Sequence, residues 1–186
     1  MAPRVVVFMA QGFEEMELTI TVDVLRRAGV EAVIAGIVAE IGPITGSRGI
    51  KMLPDMTVDK VDPQHFDMAV LPGGIEGTKN LAESEKVLQL LMTMHKAGKK
   101  LAAICAAPAV LVKAGLLKDR RATSHPAAAG HMQGTCYCED RVVIDGNITT
   151  SRAAGTTFEF AFALVEQLVS HAAVAEVNKG VLAKIN

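Results

Sequence analysis

Val5 to Gly36 reads VVVFMAQGFEEMELTITVDVLRRAGVEAVIAG, and the changes of period within it decide the fold. Val5 to Ala10 is one continuous apolar run, closed by Gly12. From Met16 to Ala28 the period becomes helical, with Met16, Ile20, Leu25 and Ala28 apolar and Gly29 placed as a C-cap. Val30 to Gly36 is apolar again apart from Glu31 at its start. A strand, a helix and a second strand follow one another, and both strands are apolar on both faces, as a parallel sheet covered by helices requires.

The rest of the chain continues that pattern. Ile37 to Leu53, with Gly42, Pro43, Gly46 and Gly49, reads as a hairpin excursion, and Asp67 to Leu71 as a buried strand that ends in Pro72-Gly73-Gly74. Ser84 is an N-cap for a helix through Ala97 with Val87, Leu88, Leu91 and Met94 apolar, closed by Gly98. Lys100 to Ile104 is the next strand and Ala106 to Ala114 the next helix, with Pro108 in its first turn, where a missing N–H costs little. RVVIDGNITTS holds two short strands about an Asp145-Gly146 turn, and helices over Thr157 to Val169 and Val174 to Lys184 finish the chain. With no linker or repeat, residues 1–186 read as one α/β domain, a doubly wound, mostly parallel sheet with helices on both faces.

Composition agrees and removes several classes of function. Half the residues are hydrophobic but only 4% are aromatic, so Val, Ile, Leu, Ala and Met must build the core. Nineteen Lys and Arg face twenty Asp and Glu, for a net charge of −1, and no basic block offers itself to nucleic acid or a membrane surface. The first apolar run is shorter than the ~7 to 15 residues of a signal sequence and soon meets acidic residues, and no segment approaches the ~20 residues of a membrane span. The three cysteines, Cys105, Cys136 and Cys138, are odd in number in a chain large enough to do without disulfides, which points to a reducing, cytoplasmic setting.

Cys105 sits where the Lys100 strand breaks into the next helix, in KLAAICAAPAVL. In open α/β sheets ligands bind beyond the carboxyl ends of the strands. Three segments gather there: the Gly12 to Glu17 loop, Pro72-Gly73-Gly74, and the Ile104-Cys105-Ala106 turn. A nucleophile on such a turn points into the cleft, free N–H groups at the helix start can hold an oxyanion, and the helix dipole favours thiolate over thiol. An arbitrary cysteine is more often a small buried hydrophobe; the strand-end position is what argues otherwise. His125, in TSHP, can reach the same cleft as a base or a proton donor.

These residues carry a resemblance. GFEEME, GSRG, VLPGG, AAICAAP, SHP and TSRAAGTTFEFA occur in this order, and together they resemble the Parkinsonism-associated deglycase branch (Parkinson disease protein 7, DJ-one) of the ThiJ/PfpI superfamily, over essentially all 186 residues. The resemblance implies a flavodoxin-like fold and a homodimer. It implies that Cys105 is a reactive, oxidisable nucleophile, that Glu17 is a protonated carboxyl hydrogen-bonded to it, and that His125 transfers protons. Gly73, Gly74 and Ala106 match backbone donors around the site. Arg48 and Arg27 match anion-binding positions, Arg27 reaching across from the partner subunit, and Asp23 would approach His125 across the dimer. The helix carrying Met16, Ile20 and Leu25 would supply the dimer surface, unless that stripe is intramolecular core.

The implied activity is that of a cofactor-independent glyoxalase or deglycase acting on small α-oxoaldehydes such as methylglyoxal, with no metal and no organic cofactor. The main alternative is a peroxide-sensing, redox-regulated chaperone working through a Cys105 sulfinate; both readings need a thiol of low pKa. A cysteine peptidase is weaker, and a glutaminase lacks its glutamate two residues after His125, where Ala127 stands. Some cysteines of the human-type branch are replaced here by Gly46 and Leu53, and Ala154 stands where many relatives carry proline. Cys136 and Cys138 lack the ligand count of a zinc site and read as ordinary thiols.

Overall fold

The computed structural model describes residues 2–184. The chain runs β1 (Arg4–Met9), α1 (Glu15–Arg27), β2 (Glu31–Gly36), β3 (Ile44–Thr45), β4 (Lys51–Met52), β5 (Met56–Thr57), β6 (Met68–Leu71), α2 (Ile75–Glu83), α3 (Glu85–Lys96) and β7 (Lys100–Ile104). It continues through α4 (Pro108–Lys113), β8 (Arg121–Ala122), β9 (Cys136–Tyr137), β10 (Val142–Asp145), β11 (Ile148–Ser151), α5 (Thr157–Leu168) and α6 (His171–Val181). Seven strands form the main sheet in the order β10-β11-β7-β6-β1-β2-β5. Every pairing in it is parallel except β10 with β11, which closes the edge as an antiparallel hairpin through Gly146 at φ 59°. The five long parallel strands have the flavodoxin-like order, whose switch point lies between β1 and β6.

The sheet is buried on both faces, hence the unbroken apolar runs. On one side Val6, Phe8, Ala69, Leu71, Leu101 and Ala103 pack beneath α2, α3 and α4. On the other, Val5, Val7, Met9, Val70, Ala102 and Ile104 pack beneath α1, α5 and α6. Caps mark the helix ends as expected: Ser84 Oγ accepts from the Val87 N–H at 3.3 Å, and Gly29 and Gly98 follow their helices at φ 78° and 71°. Between Ile37 and Leu53 the hairpin exists but has shrunk to the two-residue strands β3 and β4.

Three expectations are corrected. α2 has no counterpart in the sequence reading, because its N-terminal glycines and Gly77 interrupt the apolar period and only Gly77, Thr78 and Leu81 are buried. The final helix starts earlier and stops earlier, at His171–Val181 rather than Val174 to Lys184, because Ser170 caps it through the Ala173 N–H at 3.1 Å and Leu182 turns left-handed. The apolar stripe of α1 is split: Leu25 is fully buried in the core, whereas Met16 is 54% exposed. No helix among the described residues is long and apolar enough to cross a membrane.

Candidate active site

The loops after β1, β6 and β7 meet at the switch point. Gly12 and Gly74, at φ 79° and 91°, let the first two turn sharply into each other. The Glu14 N–H donates to Gly73 O at 3.0 Å and the Gly77 N–H to Gly12 O at 3.1 Å. A Cβ on Gly74 would collide with the Gly12 carbonyl, so only glycine permits this approach. Glu14 caps α1 by accepting the Glu17 N–H at 2.7 Å, which fixes the first turn and turns Glu17 inward.

Cys105 is the residue after β7 and has φ 66°, left-handed for a side chain that ordinarily avoids that region. Its backbone is held from two sides: its N–H donates to Ser151 O at 2.9 Å, and its carbonyl accepts from the His125 N–H at 2.8 Å. A strained cysteine fixed by neighbouring segments of the chain is the arrangement in which strain serves a site. The thiol is half-buried and opens on a cleft of about 920 Å³, whose lining includes Arg48, Gly74, Ile75, Ala106, Lys113 and His125.

Glu17 is 1% exposed. Its Oε2 accepts the Gly73 N–H at 2.7 Å, while Oε1 is buried without a regular hydrogen-bond partner. Its other neighbour is the Cys105 thiol. Gly73 lies between the two: a Cβ there would stand 2.7 Å from both Cys105 Cβ and Glu17 Oε2. Burial pushes Glu17 up to about 7, against the pull of Cys105 and the Gly73 N–H. Burial, then the Glu17 carboxylate, push the Cys105 thiol up to about 12, against the N–H groups of Gly74 and Ala106. Glu17 raises the thiol while the thiol's hydrogen bond lowers the acid, so the two titrate as a coupled pair that loses its first proton near neutrality and keeps the second into the alkaline range.

Two expectations change with that geometry. The thiol is raised rather than lowered, because burial and an adjacent carboxyl outweigh the N–H groups of Gly74 and Ala106. Among the three backbone donors, Gly74 and Ala106 address the sulfur, but Gly73 spends its N–H on Glu17. His125 is where the sequence put it, at the cleft wall. Its Nδ1 accepts the Ala127 N–H at 3.1 Å, which assigns the proton of the neutral ring to Nε2. Arg48 lines the cleft. Arg27 does not reach it within this chain and pairs with Asp23 on its own helix at 2.5 Å.

Sequence reasoning passed over Glu15, Ile75 and Lys113. The acidic run Glu14-Glu15-Met16-Glu17 was the available signal for the first, and the unrecognised α2 hid the second. Cys136 and Cys138 lie outside the cleft lining and turn their sulfurs toward Asp119 O and Ala122 O at 3.7 and 3.6 Å. Among the described residues no three His, Cys, Asp or Glu side chains gather as metal ligands would.

Comparison with known proteins agrees with this geometry. The family model described as DJ-1/PfpI family matches residues 3–167. Protein dj-1beta of Drosophila melanogaster is 40% identical over 188 residues, covering all of both chains, and its crystal structure superposes with a TM-score of 0.95 over 100% of each. A glutathione-independent glyoxalase of Caenorhabditis elegans is 38% identical, over 83% of this chain and 82% of its own. A deglycase of Pyrococcus horikoshii is 37% identical, over 80% of this chain and 89% of its own.

Proposed function

Because the chain belongs to the DJ-1/PfpI family, we propose that it is a cofactor-independent glyoxalase and deglycase, converting methylglyoxal, glyoxal or their early adducts to hydroxy acids through Cys105. The observation that carries this reading is the contact of the Cys105 thiol with the buried Glu17 carboxyl beside an open cleft. When a proton sits on Glu17, the charge that raised the thiol is gone. The thiolate then faces the Gly74 and Ala106 N–H groups and a protonated carboxyl.

The thiolate attacks the aldehyde carbon of methylglyoxal, the C=O π pair moves to oxygen, and the alkoxide takes up a proton, giving a hemithioacetal. Loss of the proton on that carbon and its return to the neighbouring carbon give a lactoyl thioester. Water cleaves this to lactate and restores the thiol, so the net reaction is methylglyoxal plus water to lactic acid. Glu17 moves the proton at the thiol, and His125 Nε2 serves the oxygens on the open side. Arg48 at the mouth favours the anionic product and intermediates, and Arg27 joins it from a partner subunit.

A homodimer through α1 and the β3–β4 hairpin is supported by Met16, Ile50 and Leu53, which are 54%, 57% and 62% exposed. Thr19 Oγ1 meets Met52 Sδ at 3.8 Å, which brings helix and hairpin into one face. We place the enzyme in the cytoplasm, in defence against carbonyl and oxidative stress.

The test is lactate formation from methylglyoxal by freshly reduced protein, wild type against Cys105→Ser. Lactate that disappears with the serine variant supports the enzyme. A fully reduced wild type that makes none rules it out and favours the second reading, a redox-sensing chaperone. That reading draws on the same donors, Gly74, Ala106 and protonated Glu17, which would hold the oxygens of a Cys105 sulfinate.

A further inference from the structure

Glu15 is not part of the lining of the Cys105 cleft, yet it is 4% exposed and holds a whole loop. Its Oε1 accepts the Arg48 N–H at 2.6 Å and the Ile50 N–H at 3.3 Å, and its Oε2 accepts the Ser47 hydroxyl at 3.0 Å. The loop is shaped around that carboxylate. Gly46 leaves no room for a Cβ, which would fall on the Glu15 carboxyl group, and Gly49 turns the chain back at φ 90°. The Ser47 N–H donates to Phe13 O at 2.7 Å, so the loop is also tied to the segment leading into α1. The residue thereby fixed is Arg48, which lines the cleft that Cys105 opens on and whose guanidinium donates within the described residues only to Ser47 O, at 3.3 Å.

We infer that Glu15 is a positioning residue: its carboxylate, by gripping the Ser47–Ile50 backbone, holds the Arg48 charge at the mouth of the Cys105 cleft, and so sets the preference of the site for anionic ligands. The α1 turn then serves the cleft twice, with Glu17 at the sulfur and Glu15 behind the arginine. This rests on the reading of Cys105 as the reacting group, but the test below requires no turnover.

Cys105 is alkylated with iodoacetate, an anion, and with the neutral iodoacetamide, in Cys136→Ser/Cys138→Ser protein, and the ratio of the two rates is taken. Wild type, Arg48→Ala, Glu15→Gln and the double variant are compared. One unit charge a few Å from the reagent in water changes such a ratio on the order of three- to five-fold. The expected result is a fall of that size for Arg48→Ala, a similar fall for Glu15→Gln, and no further fall in the double variant, because the second acts through the first. A Glu15→Gln ratio equal to wild type, a ratio indifferent to Arg48, or additive losses each overturn the inference. Should Glu15→Gln not fold, Ser47→Ala removes one of the three grips and is expected to lower the ratio in the same direction; no change there overturns the inference equally. If methylglyoxal turnover is absent while the ratios behave as stated, the enzyme reading fails and the role of Glu15 stands.

Discussion

Glu15 and Glu17 stand two residues apart in the first turn of α1, both nearly fully buried, and their carboxyl groups are driven in opposite directions. Burial works to raise Glu15, but the N–H groups of Arg48, of Glu15 itself and of Ile50, with the Ser47 hydroxyl, bring it below the ordinary carboxylate range. Glu17 has one N–H, that of Gly73, and a thiol, too few to offset its burial. One turn of helix therefore carries a carboxylate and a carboxylic acid, separated only by what faces each.

Stability should fall as pH rises through the range in which Glu17 ionises. A carboxyl raised from 4.5 to about 7 on folding binds its proton more tightly folded than unfolded. Its contribution is complete below 4.5 and is lost as pH climbs to about 7, at most about 3 kcal/mol for so buried a group. In Glu17→Gln that dependence is removed. Thermal melts at pH 5 and pH 8 should show a larger drop for wild type than for the variant, at about 2 to 4 °C per kcal/mol for a chain of this size. Equal drops would show that Glu17 does not lose its proton between pH 5 and pH 8 in the folded protein.

The paired titration also predicts the reactivity of Cys105. The fully protonated pair is inert, and the singly protonated pair contains the thiolate form, so alkylation by iodoacetamide should rise with an inflection near 7, well below an ordinary thiol. Glu17→Gln leaves the thiol to titrate alone, still buried, and the inflection should move up. A wild-type inflection at or above the ordinary value of 9.0 contradicts the shared proton.

His125 makes a different prediction, because its ring meets the cleft while its Nδ1 is committed to Ala127. If Nε2 serves the substrate oxygens and not the thiol, His125→Gln lowers turnover on the order of 10²-fold, as loss of a positioned proton donor does. Alkylation of Cys105 by iodoacetamide should meanwhile stay within about two-fold. A parallel loss in both assays would mean that the His125 side chain acts on the cysteine itself, since the backbone bond from its N–H to Cys105 O survives the substitution.

How far the sequence was legible follows from the range of the interactions involved. The opening strand, helix and strand could be read because Val5, Val7 and Val33 belong to runs whose neighbours along the chain carry the signal. Cys105 could be placed at a strand end for the same reason. Its left-handed backbone could not, since that depends on Ser151 and His125, far along the chain. Glu17 acquired a role only through resemblance, because its partners Gly73 and Cys105 lie far off in sequence. Glu15 stands in a visible acidic run, but its partners begin at Ser47, so nothing nearby in the chain shows what it holds. The rise of the thiol was misread because a helix start was weighed without the burial that the fold imposes.

Gly73 supplies the most direct test of the site's closeness. Its φ lies outside the left-handed region, unlike that of Gly74, so alanine meets no backbone objection at 73 and any penalty comes from what the new methyl touches. It would stand 2.7 Å from Cys105 Cβ and from Glu17 Oε2, and one of the pair must move. Overpacking of this kind costs about 1 to 3 kcal/mol, and parting a nucleophile from its proton partner by about an ångström costs on the order of 10²-fold in rate. Gly73→Ala should therefore melt several degrees lower and lose nearly all lactate formation. Gly74→Ala, strained at φ 91° and set against the Gly12 carbonyl, should lose more stability still. A Gly73→Ala protein that turns over methylglyoxal within about two-fold of wild type would show that the spacing of Cys105 and Glu17 does not govern the chemistry.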